Sequence, residues 1–358
     1  MESTDQARDA LVQRLFLATV GTLELYSVYI GWRLGLYGAL TATGPLTADE
    51  LAVEAGIDPR YAREWLEQQA VAGLIEVATR HDEAAERRYG LPLAHAEVLV
   101  EPSSAAHVAP FAPMLVGIAG ALPEVIEAYR TGAGVPYANY GTDFRDGQGG
   151  INRPAFEHEL PGWVAAMPDV HDRLSAQPPA RVADLGCGQG HSTLALARAY
   201  PDAQVVGVDV DQASIADAAQ LADGSEVAAE FVVGDAAGLA ESGPYDLICL
   251  FEALHDMAYP VEVLAATRAA LAPGGAVLIA DERVADAFTA PGDEVERMMY
   301  GWSVAHCLPS ARTEPNSAAL GTVLRAGRVR ELATTAGFGT VAVLPVDNDF
   351  FRLYCLRP

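Results

Sequence analysis

The chain has 358 residues and a formal net charge of −25, with 48 Asp and Glu against 23 basic residues. Every basic residue is Arg, which excludes chemistry that needs a lysine: a Schiff base, a pyridoxal phosphate anchor or a P-loop. The acidity argues against nucleic acid and anionic membranes as partners, because neutralising phosphates dominates such binding.

Residues 7–40 carry helical apolar periodicity through Leu11, Leu15, Val20, Leu23, Tyr26, Ile30, Leu34 and Tyr37. Glu24, Arg33 and several glycines interrupt the stretch, so it is not read as a membrane span, and no signal peptide is evident. Thr47 with Glu50 three residues on forms a capping box. Asp58 and Pro59 open a second helix that runs through Trp65 and stops near Gly73. Leu74–Val77 and Arg88–Leu91 then read as two short strands, so the segment is expected to be a winged helix. Its second helix offsets Arg60 and Arg63 with Glu64 and Glu67, which favours dimerisation and covering of a substrate over DNA binding. The expected divisions are a winged-helix and dimerisation domain over 1–95, a helical linker and lid over 96–178, and an α/β domain over 179–358. Within the linker, the Gly- and Pro-rich stretch 131–150 reads as a loop over the site.

From Arg181 onward strands and helices alternate as in a parallel α/β sheet. Strands are expected at 181–186, 204–209, 229–234, 245–251, 275–281, 340–346 and 351–357, and helices at 192–200, 211–222, 260–271 and 324–336. The first strand ends in Asp184-Leu185-Gly186-Cys187-Gly188-Gln189-Gly190, and the next ends on Asp209. A glycine turn entering a helix lets a ligand approach the backbone, and the following acid is placed for ribose hydroxyls. The third glycine comes one residue earlier than in the dinucleotide pattern, and Asp184 is a poor neighbour for a pyrophosphate but suits a cationic amino group. S-adenosylmethionine has that amino group and no phosphate. Asp235 either accepts from an adenine or caps a turn. His255 either removes a proton near the cofactor, steadied by Asp256 or Asp281, or is a loop histidine. The four cysteines, Cys187, Cys249, Cys307 and Cys355, form no C-x-x-C and fit a reduced, cytoplasmic protein.

With Asp184–Gly190, Asp209, Asp235 and Leu271-Ala272-Pro273-Gly274-Gly275 in succession, the chain resembles the class I methyltransferases that use S-adenosylmethionine. Tyr29–Tyr37, Leu254–Met257 and Pro315–Ser317 make the whole chain similar to actinobacterial two-domain small-molecule methyltransferases with an N-terminal winged helix. The resemblance implies a Rossmann-like seven-stranded sheet, a homodimer, and S-adenosylmethionine as cofactor with S-adenosylhomocysteine as product. It implies cofactor contacts from Asp184, Gly186, Cys187, Gly188, Gly190, Ser192, Asp209, Val210, Asp235, Ala236, Phe251 and Glu252. His255-Asp256 matches the first two positions of the His-Asp-Trp run that supplies the general base in plant-type O-methyltransferases, with Met257 in the third place. Asp281 is the expected partner of that histidine, and no metal is expected. Tyr26, Tyr29, Trp32, Met299, Trp302 and His306 are candidates to line an aromatic substrate pocket, as are Tyr137, Tyr140, Trp163 and Met298. Enzymes of this shape that bind the cofactor without transferring methyl, and a winged-helix regulator, are the alternatives.

Overall fold

The structure, a computed structural model, describes residues 4–358. It divides into two compact units, 1–116 and 117–358, so the segment expected as a separate linker is shared between them.

The first unit opens with α1 (Thr4–Arg33) and α2 (Leu36–Thr43), then α3 (Ala48–Ala55) and α4 (Pro59–Val71). The capping box at Thr47 and Glu50 is formed, and Asp58 caps α4 through the amides of Arg60 and Tyr61. The wing is β1 (Glu76–Thr79) against β2 (Arg88–Gly90), antiparallel, and α5 (Leu93–Leu99) follows. Leu36, Tyr37, Leu51, Trp65, Leu66 and Tyr89 fill the core. Gly31 matters here because a Cβ on it would drive into the Trp65 ring, whose indole N–H donates to the Ser27 carbonyl at 2.9 Å. Along α1, by contrast, Leu11, Val12, Leu15, Phe16 and Leu17 are each more than half exposed. By length and composition α1 and α6 (Phe111–Thr131) could each cross a membrane.

In the second unit, α7 (Gly141–His158), α8 (Leu160–Ala165) and α9 (Pro168–Leu174) lead into a seven-stranded sheet of order β5-β4-β3-β6-β7-β9-β8. Its strands are β3 (Arg181–Leu185), β4 (Gln204–Asp209), β5 (Glu230–Val233), β6 (Tyr245–Phe251), β7 (Leu271–Glu282), β8 (Thr340–Val343) and β9 (Phe351–Arg357). The first five are parallel; β9 runs antiparallel to both β7 and β8. The helices are α10 (His191–Ala199), α11 (Gln212–Asp223), α12 (Leu239–Ser242), α13 (Pro260–Ala269), α14 (Glu294–Trp302), α15 (Leu308–Ala311) and α16 (Ala326–Thr335). Period-two alternation splits the core in two. Leu247, Cys249 and Phe251 of β6 enter one cluster with Trp163 and Leu196, while Ile248 and Leu250 enter the other with Leu264 and Leu332. Strand order reverses between β3 and β6, which opens a crevice at their carboxyl ends.

Two expectations are corrected. The stretch 131–150 is not a loop throughout, since Gly141–Gly150 is the first half of α7. Its glycines lower helix propensity but permit close approach: Gly147 is buried, and a Cβ on Gly149 would collide with the Gln189 side chain. Trp163 and Phe251, expected near the substrate and the cofactor, have their rings packed together in the core, with centroids 5.9 Å apart.

At the start of α10, Gly190 has φ 81°, and a Cβ there would lie 2.6 Å from the Phe231 ring. Gly190→Ala is expected to cost about 1–3 kcal/mol of stability, read as a lower urea midpoint. An unchanged midpoint would mean that the ring yields freely.

Candidate functional site

The crevice is built from the turn after β3. Gly186, Gly188 and Gly190 all have positive φ, at 78°, 52° and 81°. The amides of Gly186 and Cys187 donate to the Val208 carbonyl at 2.8 and 3.2 Å, which ties the turn to β4. The three glycines serve different ends. A Cβ on Gly186 would meet Ala253 at 2.7 Å and one on Gly190 would meet Phe231, whereas Gly188 has no atom within 4 Å of that position. Gly188 is therefore the place where another molecule can lie against bare backbone.

The acids around this turn have separate duties. Asp184 is 1% exposed, and its Oδ2 accepts from the hydroxyls of Ser192 at 2.6 Å and Thr193 at 2.7 Å. Burial pushes its carboxyl up to about 6 against those hydrogen bonds. That carboxylate is an anchor for the first turn of α10, and Ser192 is turned inward to it. Asp209 accepts from the Gly188 amide and the Asp211 amide, each at 2.8 Å, while burial raises its carboxyl. It stands at the end of β4 beside the open glycine, and Val210 next to it is 74% exposed. Asp235 is exposed and caps the turn that follows β5 through the Ala237 amide, with Ala236 buried beneath. Cys187 is buried within the turn.

On the opposite side, β6 runs into Glu252, which adopts a left-handed φ of 49° rare outside glycine. Its half-buried carboxylate accepts a hydrogen bond from the Asn152 amide of α7. Burial, partly offset by His255 and Asn152, pushes it up to about 7. His255 follows, 2% exposed. Its Nδ1 lies 3.0 Å from Asp281 and 3.3 Å from Glu282, and its Nε2 lies 3.5 Å from Asp256. Burial alone would lower the imidazole pKa; the Glu282, Asp281 and Asp256 charges overcome it and raise the value well above 6.5. Burial raises Asp256 and sends Glu282 far up, while attraction to the imidazolium holds Asp281 down against its own burial. Donor atoms of His255 with Asp281 and Glu282, and of His255 with Asp256 and Cys307, fall within 4.8 Å of one another. Such sets have the spacing of metal donors.

Helix α7 covers the turn through polar grips. Arg145 pairs with Asp217 at 2.9 Å, and Gln189 donates to Asp146 at 2.9 Å and Asp217 at 3.2 Å. Beside it, His306 stacks on Phe144 with centroids 4.0 Å apart and meets Tyr140 edge-on at 4.4 Å. Tyr137 joins this group, its phenol held up by burial and by the charges of Asp209, Asp211 and Asp256. Met299 is buried in α14, and Trp302 at its end is half-buried. Tyr26, Tyr29 and Trp32 lie on α1 in the first unit, where Tyr29 and Trp32 stack at 6.4 Å.

Sequence reasoning missed Glu282, Asn152, Arg145 and Cys307. The Asp281-Glu282 pair at a strand end was a legible signal. Asn152 carried none, because only the helix brings it to Glu252.

Residues 177–328 match the family model described as a methyltransferase domain, and residues 22–101 match the Rv2258c-like winged HTH domain. The chain is 31% identical over 133 residues to a trans-aconitate 2-methyltransferase from Methylobacterium nodulans, covering 37% of this chain and 49% of that one. It is 33% identical over 120 residues to a ubiquinone biosynthesis O-methyltransferase from Burkholderia pseudomallei, covering 33% and 50%. The chain thus spans about half the length of the curated relatives it matches. Its fold is that of human N-acetylserotonin methyltransferase solved with S-adenosylmethionine, at TM-score 0.71 and 18% identity over 100% of this chain and 99% of the other.

The His255 cluster predicts a pH signature. A raised folded-state pKa gives stability that is present below the unfolded value of 6.5 and is lost as pH rises through the folded one. In a histidine-labelled NMR titration, assigned with His255→Asn, the ring should be doubly protonated at neutral pH, and Glu282→Gln should lower its pKa. A ring that loses its proton below neutral pH would contradict the geometry.

Proposed function

We propose that this chain, a winged-helix domain followed by a class I methyltransferase domain, methylates a small aromatic or polyketide-like metabolite at oxygen. The observation that carries the reading is the placement of an open Gly188, the Asp209 carboxylate and the His255 cluster at the carboxyl ends of adjoining strands of one sheet. These residues fit S-adenosylmethionine: Gly188 leaves room for a nucleoside against the backbone, and Asp209 accepts from ribose hydroxyls. When bound, that cofactor supplies an electrophilic methyl group, and S-adenosylhomocysteine is the product.

The protein's own work is positioning, exclusion of water and handling of one proton. His255 is the general base. Asp281 and Glu282 hold its Nδ1, which fixes the ring and leaves Nε2, beside Asp256, to take the proton of the acceptor hydroxyl. The same carboxylates keep the ring protonated at neutral pH, so turnover rises as alkali removes that proton. Likeness to a ubiquinone biosynthesis O-methyltransferase supports oxygen as the acceptor. Tyr137, Tyr140, Phe144 and His306 supply an aromatic wall near Asp256.

A regulator that binds DNA is the weaker reading, because Arg60 pairs with Glu64 and Arg63 with Glu67 on α4, spending its positive charge within the helix. The exposed apolar side chains of α1 support a homodimer in which a second copy covers them. Four buried free cysteines support a reducing, cytoplasmic setting.

Calorimetry with S-adenosylhomocysteine should show binding to the wild type and none to Asp209→Ala. His255→Ala should bind it normally yet lose about 10²–10⁴-fold in turnover. Methyl-labelled cofactor incubated with a metabolite extract should leave its label in one small product; a product without methyl gain would favour a non-transferring enzyme of the same fold. Light scattering should give a dimer that Leu15→Glu with Phe16→Glu converts to monomer, and a monomeric wild type would remove the dimer.

A further inference from the structure

We propose that His255 Nε2, Asp256 and Cys307 form a site for a soft divalent cation of the Zn²⁺ class. The cation and the acceptor hydroxyl then compete for one nitrogen. The site stands on geometry; the competition rests on the methyltransferase reading above, in which Nε2 is the base.

The donors come from two places in the chain. His255 and Asp256 lie on the short turn Leu254–Asp256 that follows β6. Cys307 ends the stretch Ser303–Cys307 between α14 and α15, which is wound as a π-helix, a rare form that gathers at functional sites. One donor atom from each residue lies within 4.8 Å of the other two. Asp281 holds Nδ1 at 3.0 Å, and Nε2 faces Asp256, so Nε2 is the nitrogen this set uses. The other grouping, through Nδ1, has that nitrogen engaged and both its carboxylates, Asp281 and Glu282, buried.

Several features favour a cation over a plain buried cluster. Asp256 Oδ1 is buried and accepts no hydrogen bond among the described residues, and the ring stands 3.5 Å away. A carboxylate oxygen left so is short of positive charge. Bonds of about 2.0–2.3 Å at tetrahedral angles hold ligand atoms about 3.3–3.8 Å apart, so that gap already suits Zn²⁺. A metal-bound imidazole is commonly steadied by a carboxylate on its other nitrogen, the part Asp281 plays here. The thiol selects a soft ion over Mg²⁺ or Ca²⁺, and three protein donors leave a fourth position open. His306 Nδ1, 3.4 Å from the Cys307 sulfur, is a polar neighbour of the thiol outside the set. The Asp256 side chain is 25% exposed, which gives an ion a way in. On binding, the ring and thiol protons leave to solvent.

The test titrates the full chain, without an affinity tag and stripped by chelator, with Zn²⁺ by calorimetry and with Co²⁺ by absorbance. Wild-type protein should bind Zn²⁺, and Co²⁺ should give the near-ultraviolet band of a thiolate ligand. Cys307→Ser should abolish the band and weaken Zn²⁺ binding by about a hundredfold or more, since even outer partners are worth about 10–100-fold. Cys355→Ser, a buried cysteine of β9, should keep both. Asp256→Asn should keep the band and bind Zn²⁺ about tenfold or more weakly. In the labelled-methyl incubation, transfer by the wild type should fall as Zn²⁺ fills the site, and transfer by Cys307→Ser should be insensitive to the same Zn²⁺. Zn²⁺ binding unchanged in Cys307→Ser, or a cobalt complex without the thiolate band, would overturn the site. Transfer that persists in Zn²⁺-saturated wild type would overturn the competition. A protein that binds Zn²⁺ through Cys307 yet neither transfers label nor binds S-adenosylhomocysteine would remove the methyltransferase reading, and the competition with it, and leave the cation site standing.

Discussion

The chain must reverse at the end of β3 inside a space already bounded on both sides, and this constraint organises the crevice. Ala253 closes against Gly186 and Phe231 against Gly190, so a side chain at either position would push apart elements that the sheet holds together. The middle glycine alone faces free space. A turn with two packed glycines around one open one is rigid and yet approachable, which is what recognition through backbone requires. Asp184 completes it by pulling the first hydroxyls of α10 down onto the strand that precedes the turn.

Around that fixed turn the acids divide into two sectors. Asp209 and Asp211 form the outer one, on the β4 side, where backbone amides balance the carboxylates. Glu252, Asp256, Asp281 and Glu282 form the inner one with a single imidazole among them. Burial works against four ionised carboxylates at once, raising Glu252, Asp256 and Glu282, while attraction to the imidazolium holds Asp281 down. Proton handling is thus a property of the group. Changing one member alters the others, as the opposite shifts of the adjacent Asp281 and Glu282 show.

Much of this was legible in the sequence because the signals were local. Apolar runs bounded by glycine or proline placed β3, β4, β6 and β9 within about a residue, and the capping chemistry at Thr47 and Asp58 placed two helix starts. Roles set by neighbours distant in the chain were not legible. Asp184 has the right spacing for a ligand contact, but hydroxyls eight and nine residues later claim it. Phe251 sits at a strand end yet alternation turns its ring into the core. Glycines in 141–150 read as loop by propensity, whereas helix α7 uses them to lie close to Gln189. No helix was expected over 294–311, where pocket residues were sought, although α14 and α15 lie there with Met299 and His306 buried.

The way α7 is fastened has a consequence for opening and closing. The sheet and α10 are joined by apolar packing, which added salt does not weaken; α7 shares in it through Phe156 but also holds the turn through a partly exposed ion pair and side-chain amides on carboxylates. Contacts of that kind exchange readily for water and are screened within a Debye length of about 8 Å at physiological ionic strength. That polar share of the fastening is the part that ionic strength weakens, and the apolar share is indifferent to it. The grip of α7 on the glycine turn is thus set in part by the electrolyte around it, while the turn beneath is held in one shape by packing.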